Sequence, residues 1–228
     1  MKSLKNLLNI FFPSICNGCG SVLLTNEQTI CVRCRHELPF TQHLNMTENE
    51  TYQKFYGRIP LEHASSIVYY HKKGITQKLI HNLKYKGAED IGVFFGSIYG
   101  AQITSDPILS TVDEVVPVPL HPKKQRERGY NQISTFGKTI AESIGVDFNE
   151  KRLIRNTYSN TQTTKNIFGR TELKSSVFDV RFTNEDSNKH FLLVDDVITT
   201  GSTLEACAKI LLKIPNAKIS IITIAYSH

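Results

Sequence analysis

The segment that decides the fold is FLLVDDVITTGST, which runs from Phe191 to Thr203. Its first four residues are apolar and fit a strand that is buried on both faces. Asp195 and Asp196 come next, and two further apolar residues separate them from TTGST. A stretch with helical apolar spacing follows. The segment therefore predicts a strand, a polar turn and a helix, with an acidic pair at the end of the strand.

The turn TTGST has the composition of a phosphate site. Gly201 can adopt a positive φ and lets a ligand approach the backbone closely. The backbone amides of this turn lead into a helix N-terminus, where unpaired N–H groups and the helix dipole hold anions. Four hydroxyls add neutral donors: Thr199, Thr200, Ser202 and Thr203. The alternative is that Ser202 simply caps the helix, which accounts for one hydroxyl but not for the whole run.

The acidic pair before this turn predicts a second binding function, beside the phosphate site. Adjacent carboxylates at a strand end can accept hydrogen bonds from vicinal ribose hydroxyls or lie near a bound Mg²⁺ ion. We therefore predict a ribose 5-phosphate site, with Asp195 and Asp196 at the ribose and the turn at the phosphate. In this prediction Gly201 contributes backbone amide contacts and the four hydroxyl residues contribute side-chain contacts.

The chain from about Ala64 onward alternates between strand-like and helix-like segments. Strands are predicted at 66–70, 112–118, 191–194 and 219–225. Helices are predicted at 75–83, 91–103, 133–144 and 204–212. This alternation predicts an α/β fold with a mostly parallel sheet flanked by helices. Ligands of such sheets bind at the carboxyl ends of the strands.

A basic segment, VVPVPLHPKKQRERGYNQ, follows the predicted strand at 112–118. Clustered lysine and arginine side chains would neutralise a diphosphate leaving group. The alternative is an ordinary solvated basic turn. His121 is a further, weaker candidate. We predict ligand-binding roles for three residues and a catalytic role for a fourth: Lys123, Lys124 and Arg126, and then Arg128.

Four of the five cysteines form two CxxC pairs, Cys16 with Cys19 and Cys31 with Cys34. Each pair places two thiolates on one tight turn, and the two turns together complete a tetrahedral zinc shell. Because all four positions are cysteine, such a zinc ion would be structural. A redox dithiol is the alternative. Cys207 lies apart from this group, on the predicted buried face of the last helix.

The chain divides by composition into a cysteine unit at 1–50, a polar linker at 51–63 and an α/β domain at 64–228. The first sixteen residues fit a short amphipathic helix better than a signal peptide, because asparagines interrupt their apolar run. No stretch approaches the ~20 apolar residues needed to span a bilayer, so we expect no membrane insertion. The net charge of +6 favours polyanionic partners.

These motifs occur in a recognisable order: cysteine pairs, LKYKG at 83–87, VPVPLHP at 116–122, RGYNQ at 128–132 and VDDVITTGST at 194–203. The last motif resembles that of type I phosphoribosyltransferases, and the order as a whole resembles the ComF family. A looser likeness covers the TQ and arginine of Thr161–Arg170, after which Glu172 and Leu173 replace the family's usual asparagine.

The resemblance implies a type I phosphoribosyltransferase-like fold with a small zinc-ribbon-like N-terminal unit. It also implies phosphoribosyl pyrophosphate with magnesium as ligand, and a cytoplasmic role in uptake or processing of transforming DNA. Single-stranded DNA and a helicase-like competence protein are the implied partners. Two functions remain open: a binding protein on this fold, or an active phosphoribosyltransferase that releases pyrophosphate and uses an unidentified acceptor.

Overall fold

The computed structural model describes residues 13–156 and 177–228, and these are built around a parallel sheet. Five strands lie in the order β1-β7-β6-β2-β3, and each neighbouring pair is parallel. A separate antiparallel pair is formed by β4 and β5. The strands are β1 (His63–Tyr69), β2 (Glu114–Pro117), β3 (Asp147–Phe148), β4 (Leu153–Arg155), β5 (Phe178–Val180), β6 (His190–Ile198) and β7 (Lys218–Tyr226).

Helices lie on both faces of this sheet. Their bounds in the described residues are α1 (Val32–His36), α2 (Glu50–Gln53), α3 (Ile75–Tyr85), α4 (Asp90–Ile103), α5 (Pro122–Arg128), α6 (Ser134–Ile144) and α7 (Ser202–Leu211). Helices α3, α4 and α6 supply one apolar core, whereas α7 supplies the other together with β4 and β5. The central strands β6 and β7 are buried throughout nearly their whole length because they are covered on both sides.

Helices α4 and α6 pack unusually closely. A Cβ atom added to Gly96 of α4 would lie 2.7 Å from the Cβ of Thr139 on α6. Gly92 and Gly100 face α6 in the same way, one turn to either side. This row of glycines lets the two helices approach each other closely.

The parallel sheet, the flanking helices and the predicted strands and helices are confirmed, with shifts of a few residues at their ends. One shift changes the site. The strand predicted to stop at Val194 continues to Ile198, paired to β7 as far as Ile198 opposite Tyr226. Asp195 and Asp196 therefore lie within the strand rather than after it, and strand geometry directs their side chains to opposite faces.

The basic segment contains a short helix. Residues 122–128 form helix α5, which differs from the ordinary turn given above as the alternative. His121 caps its start by accepting from the Lys123 amide at 3.2 Å, and Gly129 ends it with a φ of +79°. Pro122 at the first helical position and this glycine are the sequence signals that favour a helix here.

The polar stretch before β1 packs on the sheet. Asn49 caps α2 and also donates to the carbonyl of Ala64 at 2.8 Å. Phe55 is 1% exposed and lies in the core beside α7. The division of the chain at residues 50 and 63 stays a prediction. The predicted N-terminal amphipathic helix lies outside the described residues, and no described helix is both long and apolar enough to cross a membrane.

Candidate functional site

The turn between β6 and α7 encloses a small hollow of about 50 Å³. Asp195 and the residues from Val197 to Leu204 line it. Gly201 is the N-cap residue of α7, has a φ of +75°, and no side chain caps the helix. The alternative in which Ser202 is the cap is therefore wrong. The Ser202 amide donates to Thr200 Oγ1 at 3.4 Å, but the N-cap residue offers no side-chain acceptor to the first turn of α7, which is the arrangement that binds an anion.

Asp195 lies on the wall of this hollow. Burial, followed by the neighbouring charge of Asp196, raises the pKa of its carboxyl to about 7 from an ordinary value of 3.8. Burial and then the charge of Asp195 raise the pKa of Cys207, which places the carboxylate on the α7 side of the sheet. Cys207 itself is fully buried, as predicted for a core cysteine.

Asp196 lies on the opposite face and has close polar partners. Its Oδ1 is 2.9 Å from Lys84 Nζ at the end of α3, and its Oδ2 accepts from Gln132 Nε2 at 2.7 Å. Arg128 in turn donates to Gln132 Oε1 at 2.6 Å. This chain of contacts joins the motifs LKYKG, RGYNQ and VDDVITTGST at one place.

Two hydrogen bonds to backbone carbonyls also fix the RGYNQ segment to LKYKG and to VPVPLHP. Tyr130 donates its hydroxyl to the carbonyl of Leu83 at 2.6 Å. Asn131 donates to the carbonyl of Val118 at 3.1 Å, just beyond the end of β2. The RGYNQ segment is thus fixed to α3 and to the carboxyl end of the sheet, where parallel sheets bind their ligands.

Two larger cavities flank Lys84 and Tyr85. The first, which we call the neutral cavity, has a volume of about 410 Å³. Its lining includes Lys84, Asp196 and six uncharged polar or aromatic residues: Tyr70, Gln77, His81, Tyr85, Thr199 and Ser227. The second, which we call the cationic cavity, has a volume of about 320 Å³. Its lining includes three cations and one acid: Lys84, Lys124, Arg128 and Glu127.

Three residues of the polar stretch before β1 contact the TTGST turn. Lys54 Nζ donates to the carbonyl of Thr199 and, at 3.1 Å, to that of Ser227. Arg58 donates to the carbonyl of Thr200 at 3.1 Å and pairs with Glu205 of α7. Phe55 packs beneath Gly201, where an added Cβ would lie 3.0 Å from the ring.

A second cluster lies at the start of the described chain. The sulfur atoms of Cys16, Cys19, Cys31 and Cys34 all lie within 4.8 Å of one another and could hold a metal ion. The Sγ atoms of Cys19 and Cys31 are 3.7 Å apart. A Cβ added to Gly18 would lie 2.8 Å from the Cys34 sulfur, so this turn requires glycine.

The four thiols have different environments. Hydrogen bonds to the side chain and backbone of Ser21 lower the pKa of Cys19 to about 6. Burial raises the pKa of Cys34, which lies among the other three sulfurs. The Cys16 sulfur also accepts from the amides of Gly18 and Cys31, at 3.3 and 3.2 Å. These amide contacts are those of a metal-binding knuckle.

Comparison with known proteins relates this site to a family. A family model described as a phosphoribosyl transferase domain matches residues 135–228. Competence protein F of Haemophilus influenzae is 31% identical over 116 residues, which are 50% of this chain and 50% of that protein. DNA utilization protein YhgH of Escherichia coli K12 is 26% identical over 204 residues, covering 87% and 84%. Competence protein ComFC of Bacillus subtilis is 25% identical over 204 residues, covering 87% and 78%.

The chain is similar to these ComF-family proteins, and its residues 135–228 match a phosphoribosyl transferase domain. It spans half the length of the Haemophilus relative. A solved adenine phosphoribosyltransferase from Leishmania tarentolae matches with 15% identity and a TM-score of 0.36, over 60% of this chain and 71% of that one.

The predicted site residues of this ComF-like protein fall into two groups. The acidic pair and the TTGST turn lie together at the end of β6, and Arg128 joins them through Gln132. Lys124 lines the cationic cavity, whereas Lys123 and Arg126 are exposed on α5. Their roles stay predictions. The segment Thr161–Arg170 lies outside the described residues.

Sequence reasoning missed Lys84, Gln132, Lys54 and Arg58. The first two stand in motifs that carried the family resemblance, so their motifs were available as a signal. Lys54 and Arg58 lie in a stretch with no periodic pattern, and they contact the turn across 145 and 142 residues of sequence. No local signal predicts contacts of that separation.

Proposed function

We propose that this ComF-like protein binds phosphoribosyl pyrophosphate together with Mg²⁺. The 5-phosphate lies in the hollow on the amides of the TTGST turn, and the ribose lies at Asp195 and Asp196. The observation that carries the proposal is the start of α7, which no side chain caps, beside the half-buried Asp195 carboxylate in a hollow of about 50 Å³. Mg²⁺ would shield the pyrophosphate and bring it near carboxylate oxygen ligands, which are the ligands it prefers.

The charge of the cationic cavity supports a place for the pyrophosphate. Lys84, Lys124 and Arg128 line it, against one acid, Glu127. Arg128 is held in place through Gln132, which also contacts Asp196. A cation fixed in this way stabilises a diphosphate without reorganising, which is how developing charge is stabilised in transferase sites.

We further propose a cytoplasmic role in the uptake or processing of transforming DNA. The names of the relatives, Competence protein F and DNA utilization protein, support this role. Exposed cations on α5, Lys123 and Arg126, offer contacts to the phosphates of single-stranded DNA. A helicase-like competence protein is the proposed partner. If single-stranded DNA binds, the logarithm of its binding constant should fall steeply with the logarithm of the salt concentration. A flat dependence, or no binding, would contradict the proposed DNA contact.

An active phosphoribosyltransferase is the second candidate, and the neutral cavity beside Asp196 favours it. In that reaction an acceptor nitrogen would form a bond to ribose C1 with its lone pair. The bond from C1 to the pyrophosphate oxygen would break, and its electron pair would leave with the pyrophosphate. The acceptor proton would pass to solvent. Arg128 and Lys84 would stabilise the leaving group in the cationic cavity.

We propose zinc as the ion of the four-cysteine cluster. Tetrahedral Zn–S bonds of about 2.3 Å place sulfurs about 3.8 Å apart, and the Cys19–Cys31 distance of 3.7 Å fits this. Four thiolates leave no open position, so the ion would be structural. Metal analysis of the purified protein should give about one zinc per chain. A folded protein that contains no metal would contradict the assignment.

The hollow can be tested by placing a charge in it. Ser202→Asp puts a carboxylate at the start of α7, where it would repel a phosphate. We expect calorimetric affinity for ribose 5-phosphate to fall at least tenfold. Ser105→Asp is the matched control, because this exposed residue precedes β2 at the opposite edge of the sheet. Equal affinities in the two variants would contradict a phosphate site in the hollow.

A further inference from the structure

The proposed phosphate hollow has no positive side chain of its own. Among the described residues, its lining includes one acid, Asp195, and no lysine or arginine. Lys54 and Arg58 lie behind the turn, but both donate to backbone carbonyls, and Arg58 also pairs with Glu205. A phosphate in the hollow would lie beside the Asp195 carboxyl group, and a free cation close by would offset the repulsion between two negative charges.

Arg155, the last residue of β4, is a cation of this kind. Its side chain is half-buried, and its Nε atom is buried without a hydrogen-bond partner. In the part of the chain that the structure describes, no carboxylate forms an ion pair with it. Its guanidinium lies 5.3 Å from the ring of Phe178, the residue opposite it on β5. Because removing charge from water costs free energy, an arginine is rarely buried without an anionic partner.

Arg152, three residues earlier, has the partners that Arg155 lacks. Its guanidinium donates to both carboxylate oxygens of Glu114 and of Asp186 and to the carbonyl of Arg181, at 2.6–2.8 Å. These bonds use every N–H group that a guanidinium offers. The fold thus surrounds Arg152 with anions and, within the described ranges, leaves Arg155 against the face of an aromatic ring.

Arg155 lies on the same side of the sheet as the hollow. Phe178, which its guanidinium contacts, shares a core with Cys207 of α7. Burial, followed by the charge of Asp196, raises the pKa of Asp195, and the charge of Arg155 opposes this shift. The charge of Arg155 also opposes the rise in the pKa of Cys207 that burial and Asp195 cause. Arg155 is therefore close enough to act on the carboxyl group that lines the hollow.

We propose that Arg155 is a further ligand-binding residue, whose guanidinium binds the 5-phosphate held at the start of α7. The inference rests on the proposed phosphoribosyl site and adds a cation to it. A planar guanidinium donates two parallel hydrogen bonds to a phosphate, which an ammonium group does not. The bound phosphate would be the anionic partner that the described chain does not give to Arg155.

The test is calorimetry with ribose 5-phosphate and, separately, with pyrophosphate, on the wild type and on Arg155→Met. Methionine keeps an apolar side chain against Phe178 and removes the charge. Affinity for ribose 5-phosphate should fall about tenfold, because hydrogen bonds to a charged group are lost, whereas affinity for pyrophosphate should change less than about twofold. Arg155→Lys should restore part of the affinity. Arg181→Met removes an exposed arginine just beyond β5 and is the matched control.

A stability measurement separates ligand binding from a structural role. Without ligand, Arg155→Met should resist urea at least as well as the wild type, because it removes a half-buried cation that has no anionic partner. A residue that held β4 and β5 in place would lose stability together with affinity. A clear loss of stability in Arg155→Met would therefore overturn the inference.

The remaining outcomes separate this inference from the function it extends. If the wild type binds ribose 5-phosphate and Arg155→Met binds it equally well, the proposed function stands and the inference is overturned. An affinity loss confined to pyrophosphate, or an equal loss in Arg181→Met, also overturns it. A wild type that binds no ribose 5-phosphate contradicts the proposed function and the inference together.

Discussion

On one face of β6, Asp196 is held between Lys84 and Gln132, whereas Asp195 on the other face lies on the wall of the hollow. In the described ranges 13–156 and 177–228, no ion pair is formed by Asp195. The two residues are neighbours in sequence and have the same side chain. Their environments differ because successive residues of a strand face opposite sides of the sheet.

The difference indicates that Asp195 and Asp196 have different roles. Asp196 joins α3 to the segment before α6 and so fixes the position of Lys84 and, through Gln132, of Arg128. Asp195 has its pKa raised to about 7 by burial and by the nearby charge of Asp196. It is the carboxylate that a bound cation or ribose would affect most, because no lysine or arginine yet neutralises it at close range.

Breaking the Asp196 contacts should give the largest change in stability. Asp196→Ala leaves Lys84 without its partner and Gln132 without its acceptor, in a region where Asp196 is 5% exposed. We expect the free energy of unfolding to fall by about 2–4 kcal/mol, since removing one partner of a buried pair is costly. Urea denaturation followed by circular dichroism measures this.

The control is a pair of the same chemistry at the surface. Glu37 pairs with Arg33 four residues earlier on the exposed helix α1. Glu37→Ala should cost less than about 0.5 kcal/mol. A cost for Asp196→Ala as small as that of the control would show that Asp196 does not connect these elements.

Asp195→Asn should change the free energy of unfolding by a smaller amount. The change should be an increase, and it should depend on pH. The folded protein holds the Asp195 proton more tightly than the unfolded chain, so wild-type stability falls as pH rises from about 3.8 through about 7. Asparagine does not titrate in this window. We expect the variant to gain about 1–3 kcal/mol over the wild type at pH 8, and this gain should vanish near pH 4.

Thermal unfolding of both proteins across this pH range measures the difference. A stability difference that stays constant from pH 4 to pH 8 would contradict the raised pKa. A variant that becomes less stable than the wild type as pH rises would show that Asp195 has a cationic partner after all.

Lys54→Met should have the smallest effect and should act mainly on ligand binding. Methionine keeps the apolar part of the side chain but loses the donors to Thr199 and Ser227 and a cation behind the turn. Affinity for ribose 5-phosphate should fall about fivefold, or about 1 kcal/mol, with a smaller change in stability. Lys54→Arg should restore part of the affinity.

Lys213→Met removes the same charge at an exposed position beyond the other end of α7 and serves as the control. Equal affinities for the two methionine variants would mean that Lys54 acts through net charge alone and does not position the turn.

The hollow could be predicted from sequence because its residues are contiguous. Strand, acidic pair, turn and helix start all lie within Phe191–Thr203, and local geometry brings them together. The four-cysteine cluster could also be predicted from sequence, because residue spacing determines which sulfurs can meet. Its members are Cys16, Cys19, Cys31 and Cys34. In both cases the chemistry depends on short segments.

The residues that line the rest of the site could not be predicted from sequence, because tertiary packing brings them together. Contacts such as Lys84 to Asp196, or Lys54 to Thr199, join residues more than 100 positions apart. To predict that Asp195 and Asp196 face opposite sides of the sheet, one must know that β6 ends at Ile198. The sequence pattern placed this end four residues too early, at Val194. The end was missed because two charged residues inside a buried strand look like its boundary.

The most direct test of the phosphoribosyl site is calorimetry with phosphoribosyl pyrophosphate and Mg²⁺, on the wild type and on Asp195→Asn/Asp196→Asn. Asparagine keeps the shape of each side chain and removes both charges, and circular dichroism verifies that the variant is folded. The wild type should bind, and the double variant should lose at least tenfold in affinity. Equal heats and affinities in the two proteins would show that the acidic pair does not contact the ribose and would contradict the proposed site.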